Sequence, residues 1–234
     1  MGEIYSRTQM LIGEEALNKL KTSKVIVFGA GGVGGYVIEA LARSFIGAIT
    51  VVDNDTVSVS NINRQILAVH DTVGKLKVDV AKERILSINP DCKVEAVNTF
   101  FLPENSSQFD FTEYDYIVDA VDTVSAKLEL VKIAQELKVP IISSMGTGNK
   151  LHPEMLEISD IYKTSVCPLA RAMRNLCKKN RIKKLKVVYS KEEPNSVIKD
   201  FENGKAIPAS SAFVPASAGL IIASAVVNDL ISNI

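Results

Sequence analysis

Hydrophobic and polar positions along residues 1–150 follow two alternating periods. Short segments rich in valine and isoleucine predict strands at residues 24–28, 48–52, 93–97, 116–120 and 140–144. Between them, apolar residues recur every three or four positions, which predicts helices at residues 33–45, 72–88 and 124–137. Strands that alternate with helices form βαβ units, so the pattern predicts an α/β fold with a Rossmann-like, mostly parallel sheet flanked by helices.

The pattern changes in the C-terminal part of the chain. It predicts a strand, a helix, a second strand, a long loop and a final helix, at residues 155–158, 169–179, 185–189, 190–211 and 217–231. We expect the two short strands to extend the sheet in antiparallel fashion. No repeat or linker divides the chain, so we expect residues 1–234 to form a single domain.

The composition limits the classes of function. The 234 residues include 27 lysines and arginines and 27 aspartates and glutamates, so the net charge is zero. This argues against a uniformly basic nucleic-acid coat but not against a local basic patch. Apolar residues make up 47%, which is typical of a globular chain and not of a disordered one. The uncharged run at residues 206–228 is long enough to span a bilayer, but prolines and serines interrupt it. We expect a buried core helix there and no association with a membrane.

The cysteines indicate the compartment. Cys92, Cys167 and Cys177 are an odd and sparse set, which is typical of a reducing environment. The first residues contain no apolar signal-peptide core. We therefore expect the protein to be cytoplasmic.

A glycine-rich turn carries the first chemical signal. The segment Gly29-Ala-Gly-Gly-Val-Gly34 follows the first predicted strand and opens the first predicted helix. In that context glycines let the backbone approach a phosphate, and the helix N-terminus attracts its charge. The nucleotide-binding candidates are therefore Gly29, Gly31, Gly32 and Gly34. Asp53 ends the second strand, where a carboxylate accepts hydrogen bonds from a ribose. The alternative is a turn whose glycines serve packing alone.

The residues after Asp53 distinguish a nicotinamide dehydrogenase from an ATP-binding protein. Polar and basic side chains follow the ribose position, namely Asp55, Asn61, Asn63, Arg64, Gln65 and, at a helix start, Lys77. A triphosphate carries roughly four negative charges and needs more cations near it than a dinucleotide does. No Walker sequence occurs in the chain, so the pattern favours ATP bound on a Rossmann-type sheet.

These motifs, together with Val73-Gly-Lys-Leu-Lys77 and Asp119-Ala-Val-Asp122, resemble the ubiquitin-activating enzyme superfamily in its ThiF/MoeB/HesA branch. The resemblance spans nearly the whole chain. It implies a single ThiF/MoeB-type adenylating domain that activates a carboxylate by transferring AMP to it from ATP.

The resemblance also implies roles for individual residues. By that pattern Asp53 holds the ribose, and the phosphates are held by Asn61, Arg64 and Lys77. Asp122 would bind Mg²⁺, for which a plain helix N-cap is the alternative. Arg7 matches an arginine that members send into the partner subunit's ATP site, which implies a homodimer. The catalytic candidates are therefore Arg7, Arg64, Lys77 and Asp122.

The second half of the chain resembles one subfamily in particular. Segments at residues 143–150, 160–165, 167–171, 187–194 and 213–224 are similar to the tRNA threonylcarbamoyladenosine dehydratases. That resemblance implies ATP-dependent cyclisation of a modified adenosine next to the anticodon, through adenylation of its threonyl carboxylate. The carbamoyl group of the same nucleoside then expels AMP, and this intramolecular step requires no protein thiol.

Two alternatives stay open at this point. Adenylation of a ubiquitin-like sulfur carrier is one, although relatives with that role often hold a zinc ion between paired cysteines. Here the cysteines are isolated and the histidines are His70 and His152, so we expect no zinc. Cys167 is a thiol candidate at the start of a basic helix, with packing of a loop as the alternative. A sulfur-relay accessory protein is a further partner to consider.

The second alternative function is an NAD-binding oxidoreductase or a non-catalytic nucleotide-binding module.

A basic cluster indicates the macromolecular partner. The segment from Arg171 to Lys186 holds eight lysines and arginines and no acidic residue. The RNA-binding candidates are Arg171, Arg174, Lys178, Lys179 and Arg181. Leu169, Met173 and Leu176 are expected to face the core. A solvated helix face is the alternative, and the subfamily resemblance favours tRNA.

Overall fold

A mixed sheet organises the protein in the computed structural model, which describes residues 3–198, 200–202 and 205–232. Within these residues the sheet strands are β1 (Lys24–Phe28), β2 (Ala48–Val52), β3 (Lys93–Val97), β4 (Tyr116–Asp119), β5 (Ile141–Ser144), β6 (Leu156–Asp160) and β7 (Lys186–Ser190). Their spatial order is β3-β2-β1-β4-β5-β7-β6. Each neighbouring pair is parallel except β6 and β7, which are antiparallel. The predicted fold class is confirmed.

Helices cover both faces of this sheet. In the described residues they are α1 (Ser6–Ile12), α2 (Glu14–Thr22), α3 (Gly34–Arg43), α4 (Lys77–Ile88), α5 (Val124–Leu137), α6 (Pro168–Lys179) and α7 (Phe213–Ile231). Alternate residues of β1 point to opposite sides, because side chains along a strand alternate. Val25 and Val27 join the core beneath α3 and α7, whereas Ile26 and Phe28 join the core beneath α5. Phe28 packs there against Phe101, with ring centroids 4.7 Å apart.

The predicted helix at residues 72–88 begins later than expected, at Lys77. Gly74 has a φ of 87°, in the left-handed region, and this interrupts helical geometry. The chain before α4 instead pairs with the segment after β2: Thr56 and Leu76 form an antiparallel bridge, and Val57 donates its N–H to Lys75 O at 2.9 Å. The cause is a contact between distant residues, which local periodicity does not reveal.

The long loop expected at residues 190–211 contains a small hairpin of strands β8 (Asp200–Glu202) and β9 (Lys205–Ile207). The last helix also begins earlier than expected, at Phe213. Its Pro215 lies in the first turn, where a missing N–H costs no hydrogen bond. Ile207 of β9 and Pro215 of α7 both line the cavity described below.

Helix α7 is, among the described residues, the one long and apolar enough to cross a membrane, but half of that stretch is buried in the protein. Gly219 brings α7 against α3, because a Cβ there would lie 2.5 Å from Val33 O and 2.7 Å from Tyr36 Cβ. The expected core helix is confirmed. Helix α6 buries Ala170, Met173 and Cys177.

Candidate active site

A cavity of about 800 Å³ opens at the carboxyl ends of the parallel strands. It lies where the strand order reverses between β1 and β4, the position at which open α/β sheets bind ligands. Most of the predicted nucleotide-binding residues line it: Gly29, Gly31, Gly32, Asp53, Asp55, Asn61, Arg64, Gln65, Lys77 and Asp122. Gly34, Asn63 and Arg7 are described residues that do not line it.

The glycine-rich turn has the shape needed for a phosphate. Gly29 has a φ of 92°, and a Cβ there would lie 2.7 Å from Ala120 O, so glycine is required for both reasons. At Gly34 a Cβ would lie 1.8 Å from Gly29 O, so this residue closes the turn on itself. No side chain caps the N-terminus of α3, and Gly31, Gly32 and Val33 just before it line the cavity, so this end of the helix is suited to bind an anion.

Asp53 joins the end of β2 to the glycine-rich turn. Its Oδ2 accepts a hydrogen bond from Ala30 N at 2.6 Å, and its Oδ1 accepts from Asp55 N at 2.8 Å. The carboxylate is thereby fixed at the cavity wall beside the glycine-rich turn. This is the geometry of a ribose-binding carboxylate in a Rossmann-like site.

Lys77 supplies a buried positive charge. The side chain is 5% exposed and its Nζ lies 2.6 Å from Asp55 Oδ2, while Asp55 is largely exposed. The backbone N–H of Lys77 also donates to Asp55 O at 3.0 Å. Asp55 therefore orients the lysine at the first residue of α4. A cation in this low-dielectric position interacts strongly with a phosphate.

Three further residues of the loop after β2 face the cavity. Arg64 donates through Nη1 to Ser60 O at 2.9 Å, which sets the direction of its guanidinium. Asn61 is buried and its Oδ1 accepts from Ser58 N at 3.2 Å. Gln65 is also buried, and its Oε1 is the buried side-chain oxygen without a partner among the described residues. A polar group of this kind is ready for a bound ligand or water.

Asn63, also predicted to bind the nucleotide, does not line the cavity. Its Oδ1 accepts from Arg64 Nη1 at 2.8 Å, and its Nδ2 donates to Ser210 O at 3.1 Å. Both hydrogen bonds connect parts of the cavity wall to each other.

Asp122 projects from the loop between β4 and α5. The N-cap of α5 is Thr123, and Asp122 Oδ1 lies 3.5 Å from the Thr123 hydroxyl. Asp122 therefore does not have the plain N-cap role that was its alternative. Its exposed carboxylate faces the cavity, and one carboxylate together with phosphate oxygens is a usual Mg²⁺ arrangement. The described residues contain no cluster of three or more His, Cys, Asp or Glu for a metal.

A fully buried ion pair lies beneath this loop, and sequence analysis did not identify it. Lys127 Nζ is 2.9 Å from Asp119 Oδ1 and also donates to Val121 O at 3.0 Å. The Ser143 hydroxyl donates to the other carboxylate oxygen of Asp119. One signal was available: Lys127 stands at helical spacing with the buried Leu130 on the apolar side of α5.

Two other parts of the cavity lining had no clear sequence signal. Phe100, which is half-exposed, lines the cavity after β3, and Gly146 lines it after β5. Behind Gly146, buried Lys150 donates to Gly146 O at 3.0 Å. Burial lowers the pKa of Lys150 below its usual value. Cys167 is buried there too, since a Cβ on Gly146 would lie 3.6 Å from its Sγ.

The basic helix α6 begins at the cavity, because Leu169 in its first turn lines it. Arg171, Lys178, Lys179 and Arg181 are exposed, and the structure gives none of them an acidic partner within the described residues. Arg174 instead donates to Thr164 O at 2.6 Å and so serves the local fold. Arg7 is exposed on α1 and is not brought to the cavity within one chain.

Fold and site together define a nucleotide-binding protein of the Rossmann-like class with a cation set suited to ATP. The sequence model of the ThiF family matches residues 5–232. The chain therefore belongs to the ThiF family.

Individual relatives are more specific. The chain is 43% identical to the tRNA threonylcarbamoyladenosine dehydratase of Bacillus subtilis, over 98% of this chain and 95% of that protein. Its structure is similar to that of the Escherichia coli tRNA N6-threonylcarbamoyladenosine dehydratase in complex with ATP, with a TM-score of 0.89 and 33% identity over 99% of this chain and 95% of that one. An adenylyltransferase and sulfurtransferase, UBA4 of Vanderwaltozyma polyspora, is 39% identical over 62% of this chain and 34% of that protein.

Proposed function

We propose that this protein is an ATP-dependent tRNA threonylcarbamoyladenosine dehydratase. The observation that carries the proposal is the similarity to the Bacillus subtilis enzyme across 98% of the chain. This similarity includes the second half of the chain, and the sulfur-carrier alternative does not explain the similarity there. The similarity to UBA4, which extends over 62% of the chain, supports adenylation chemistry but not this substrate.

The reaction proceeds in two steps. The threonyl carboxylate attacks the α-phosphorus of ATP and pyrophosphate leaves, which gives an acyl-adenylate. The carbamoyl group of the same nucleoside then attacks the acyl carbon and expels AMP, with the net loss of one water from the nucleoside. Because both reacting groups belong to one nucleoside, proximity supplies a large part of the acceleration in the second step.

The residues of this chain bind and orient the triphosphate. The N–H groups at the start of α3 and the turn at Gly29 receive phosphate oxygens, and Asp53 holds the ribose. Arg64 and Lys77 stabilise negative charge that develops on the phosphates as the bond to pyrophosphate breaks.

Asp122 is the residue that would hold Mg²⁺. Its carboxylate is exposed at the cavity and carries no ion pair among the described residues, so it is available to a hard cation. Bound there, Mg²⁺ would neutralise phosphate charge. The predicted absence of zinc stays a prediction.

The exposed basic residues of α6 are proposed to bind the tRNA. The helix starts at the cavity, so phosphates bound along it would place a nucleoside of the same RNA near the ATP site. Charge reversal at Arg171 and Lys178 should weaken tRNA binding and reduce its salt dependence. The same reversal at Lys82, exposed on α4, is the matched control.

A homodimer completes this proposal, with Arg7 acting in the partner's site. Arg7→Ala and Arg64→Ala should each be inactive. Mixed after subunit exchange, they should recover activity, because a mixed dimer has one site with both arginines intact. Absence of recovery would contradict the action of Arg7 across the interface. A sulfur-relay accessory protein and a cytoplasmic location stay predictions.

The central experiment uses purified protein, ATP, Mg²⁺ and tRNA that carries threonylcarbamoyladenosine. Digestion and mass spectrometry should show ATP-dependent loss of one water from that nucleoside. Asp53→Ala and Arg64→Ala should abolish it, and Cys167→Ala should retain most of it. An unchanged nucleoside, with AMP formed instead on a carrier protein that ends in Gly-Gly, would establish the alternative.

A further inference from the structure

Asn63 connects two walls of the cavity without lining it. Its Oδ1 accepts a hydrogen bond from Arg64 Nη1 at 2.8 Å, and its Nδ2 donates to Ser210 O at 3.1 Å. Arg64 and Ser210 both line the cavity, and they lie on segments far apart in sequence. One amide side chain therefore joins the loop after β2 to the segment that precedes α7.

The contact with Asn63 determines which donors of Arg64 remain for a phosphate. A guanidinium has five N–H donors, two of them on Nη1. Nη1 donates to Ser60 O and to Asn63 Oδ1, so both of its protons are used. The remaining donors are on Nε and Nη2. Asn63 thus holds the guanidinium in the orientation that presents these three donors together.

The segment at residues 207–211 is held on its other side by the loop after β5. Asn149 N donates to Ala209 O, and Ala209 N donates to Asn149 Oδ1, each at 2.7 Å. Asn149 adopts this position with a φ of 59°, in the left-handed region. The hydrogen bond from Asn63 fixes the side of the segment that faces Arg64. Asn63 therefore contacts both Arg64 and the segment at residues 207–211, which we call the C-terminal wall.

We infer that Asn63 is a positioning residue that couples the phosphate-binding Arg64 to the C-terminal wall at residues 207–211. The inference rests on the proposed function for Arg64 as a phosphate ligand. It makes two predictions, because the two hydrogen bonds have separate consequences. ATP affinity depends on Asn63 through Arg64, and order in the C-terminal wall depends on ATP through Asn63.

A double-mutant cycle tests the first consequence with ATP itself. Asn63→Ala should weaken ATP binding about tenfold in the otherwise unchanged protein. In the Arg64→Ala background the same substitution should have no further effect, because the residue through which it acts is absent. Asn180→Ala is the matched control, since it removes an amide that donates to Leu176 O on α6.

Hydrogen exchange tests the second consequence. ATP should increase amide protection at residues 207–211 in the unchanged protein and should fail to do so in Asn63→Ala. Asn63→Asp retains the acceptor for Arg64 but lacks the donor to Ser210 O, so it should also lose this ATP-dependent protection. Asn63 is exposed, and equal melting temperatures of all variants would show that the fold is retained.

Several results would overturn the inference. Unchanged ATP affinity in Asn63→Ala would show that Arg64 needs no such support. Equal losses in both backgrounds would show that Asn63 touches the nucleotide itself. The same ATP-dependent protection at residues 207–211 in Asn63→Ala as in the unchanged protein would show that Asn63 does not couple ATP to this segment. If the unchanged protein binds ATP but leaves the modified nucleoside intact, the proposed function fails while these measurements still decide the role of Asn63.

Discussion

Replacing Lys127 by methionine should destabilise the protein more than any surface charge change. The Nζ of Lys127 lies 2.9 Å from Asp119 Oδ1, and both side chains are fully buried. Methionine has a similar volume and fills the space without the charge. The variant therefore leaves the Asp119 carboxylate in the core without its cation.

The expected cost can be estimated from the contacts that remain. Breaking a buried ion pair by removing one partner costs about 3–5 kcal/mol. After the change Asp119 still accepts from the Ser143 hydroxyl and, at 3.3 Å, from Val121 N. We therefore expect about 3 kcal/mol, the lower end of that range. This is a large part of the 5–15 kcal/mol by which a typical domain is stable.

Removing both charges should cost less than removing one. In Asp119→Asn with Lys127→Met, no unpaired charge remains in the core, and we expect a loss of about 1 kcal/mol. The coupling energy of the cycle should therefore be at least about 2 kcal/mol. The matched control is Lys19→Met, because Lys19 Nζ lies 3.6 Å from Asp115 on the surface, where a pair contributes about 0–1 kcal/mol.

Urea unfolding followed by far-ultraviolet circular dichroism gives all four free energies. The reasoning is refuted if Lys127→Met costs less than about 1 kcal/mol, or if the double variant loses the sum of the single losses. The same pair holds the loop that carries Asp122, because Lys127 also donates to Val121 O at 3.0 Å. On the proposed role of Asp122 in Mg²⁺ binding, the variant should therefore require more Mg²⁺ at a temperature where it is folded.

Three further changes test the packing and electrostatics. Gly219→Val should destabilise by about 1–3 kcal/mol in urea unfolding, because its Cβ would meet Val33 O at 2.5 Å; an unchanged midpoint would contradict the close contact of α3 and α7. Gly29→Ala should lose ATP binding measured by calorimetry, since its Cβ would meet Ala120 O at 2.7 Å, and normal affinity would show that the turn adapts. Burial raises the pKa of the Cys92 thiol from 9.0 to about 11, so the folded state holds this proton more tightly than the unfolded state. Stability should therefore fall as the pH rises from 9.0 to about 11, and part of that slope should disappear in Cys92→Ala.

The strands were predictable because a short run of consecutive apolar residues is enough to indicate a buried strand. The strand predicted at residues 24–28 is observed as Lys24–Phe28, where four consecutive apolar residues are buried on both faces of the sheet. The start of α4 was not predictable in the same way. Its delay to Lys77 depends on a bridge between Thr56 and Leu76, which are distant in sequence. Local periodicity carries no information about such a pair.

The residues of the candidate site also differ in whether local sequence predicts their role. Gly29 and Asp53 were found because each has a fixed position relative to a strand end. Lys77 was predicted as a cation at a helix start after the ribose position, and the structure adds its burial against Asp55. Asn63 was predicted to bind the nucleotide; in the structure it does not line the cavity, and its side chain donates to Ser210 O. A contact between the loop after β2 and the C-terminal wall cannot be anticipated from either segment alone.

The chemistry of this site depends more on the segments that connect strands and helices than on the sheet itself. A Rossmann-like sheet supplies the phosphate turn and the ribose carboxylate, and that pair alone suits a dinucleotide as well as ATP. The long connection at residues 53–76 adds Arg64 at the cavity and leads into Lys77. The segment at residues 207–211 adds a further part of the lining, with Ser210 O hydrogen-bonded to Asn63. Because cations and wall both come from connections, variation in these two segments is where the carboxylate substrate would be selected while the nucleotide frame is retained.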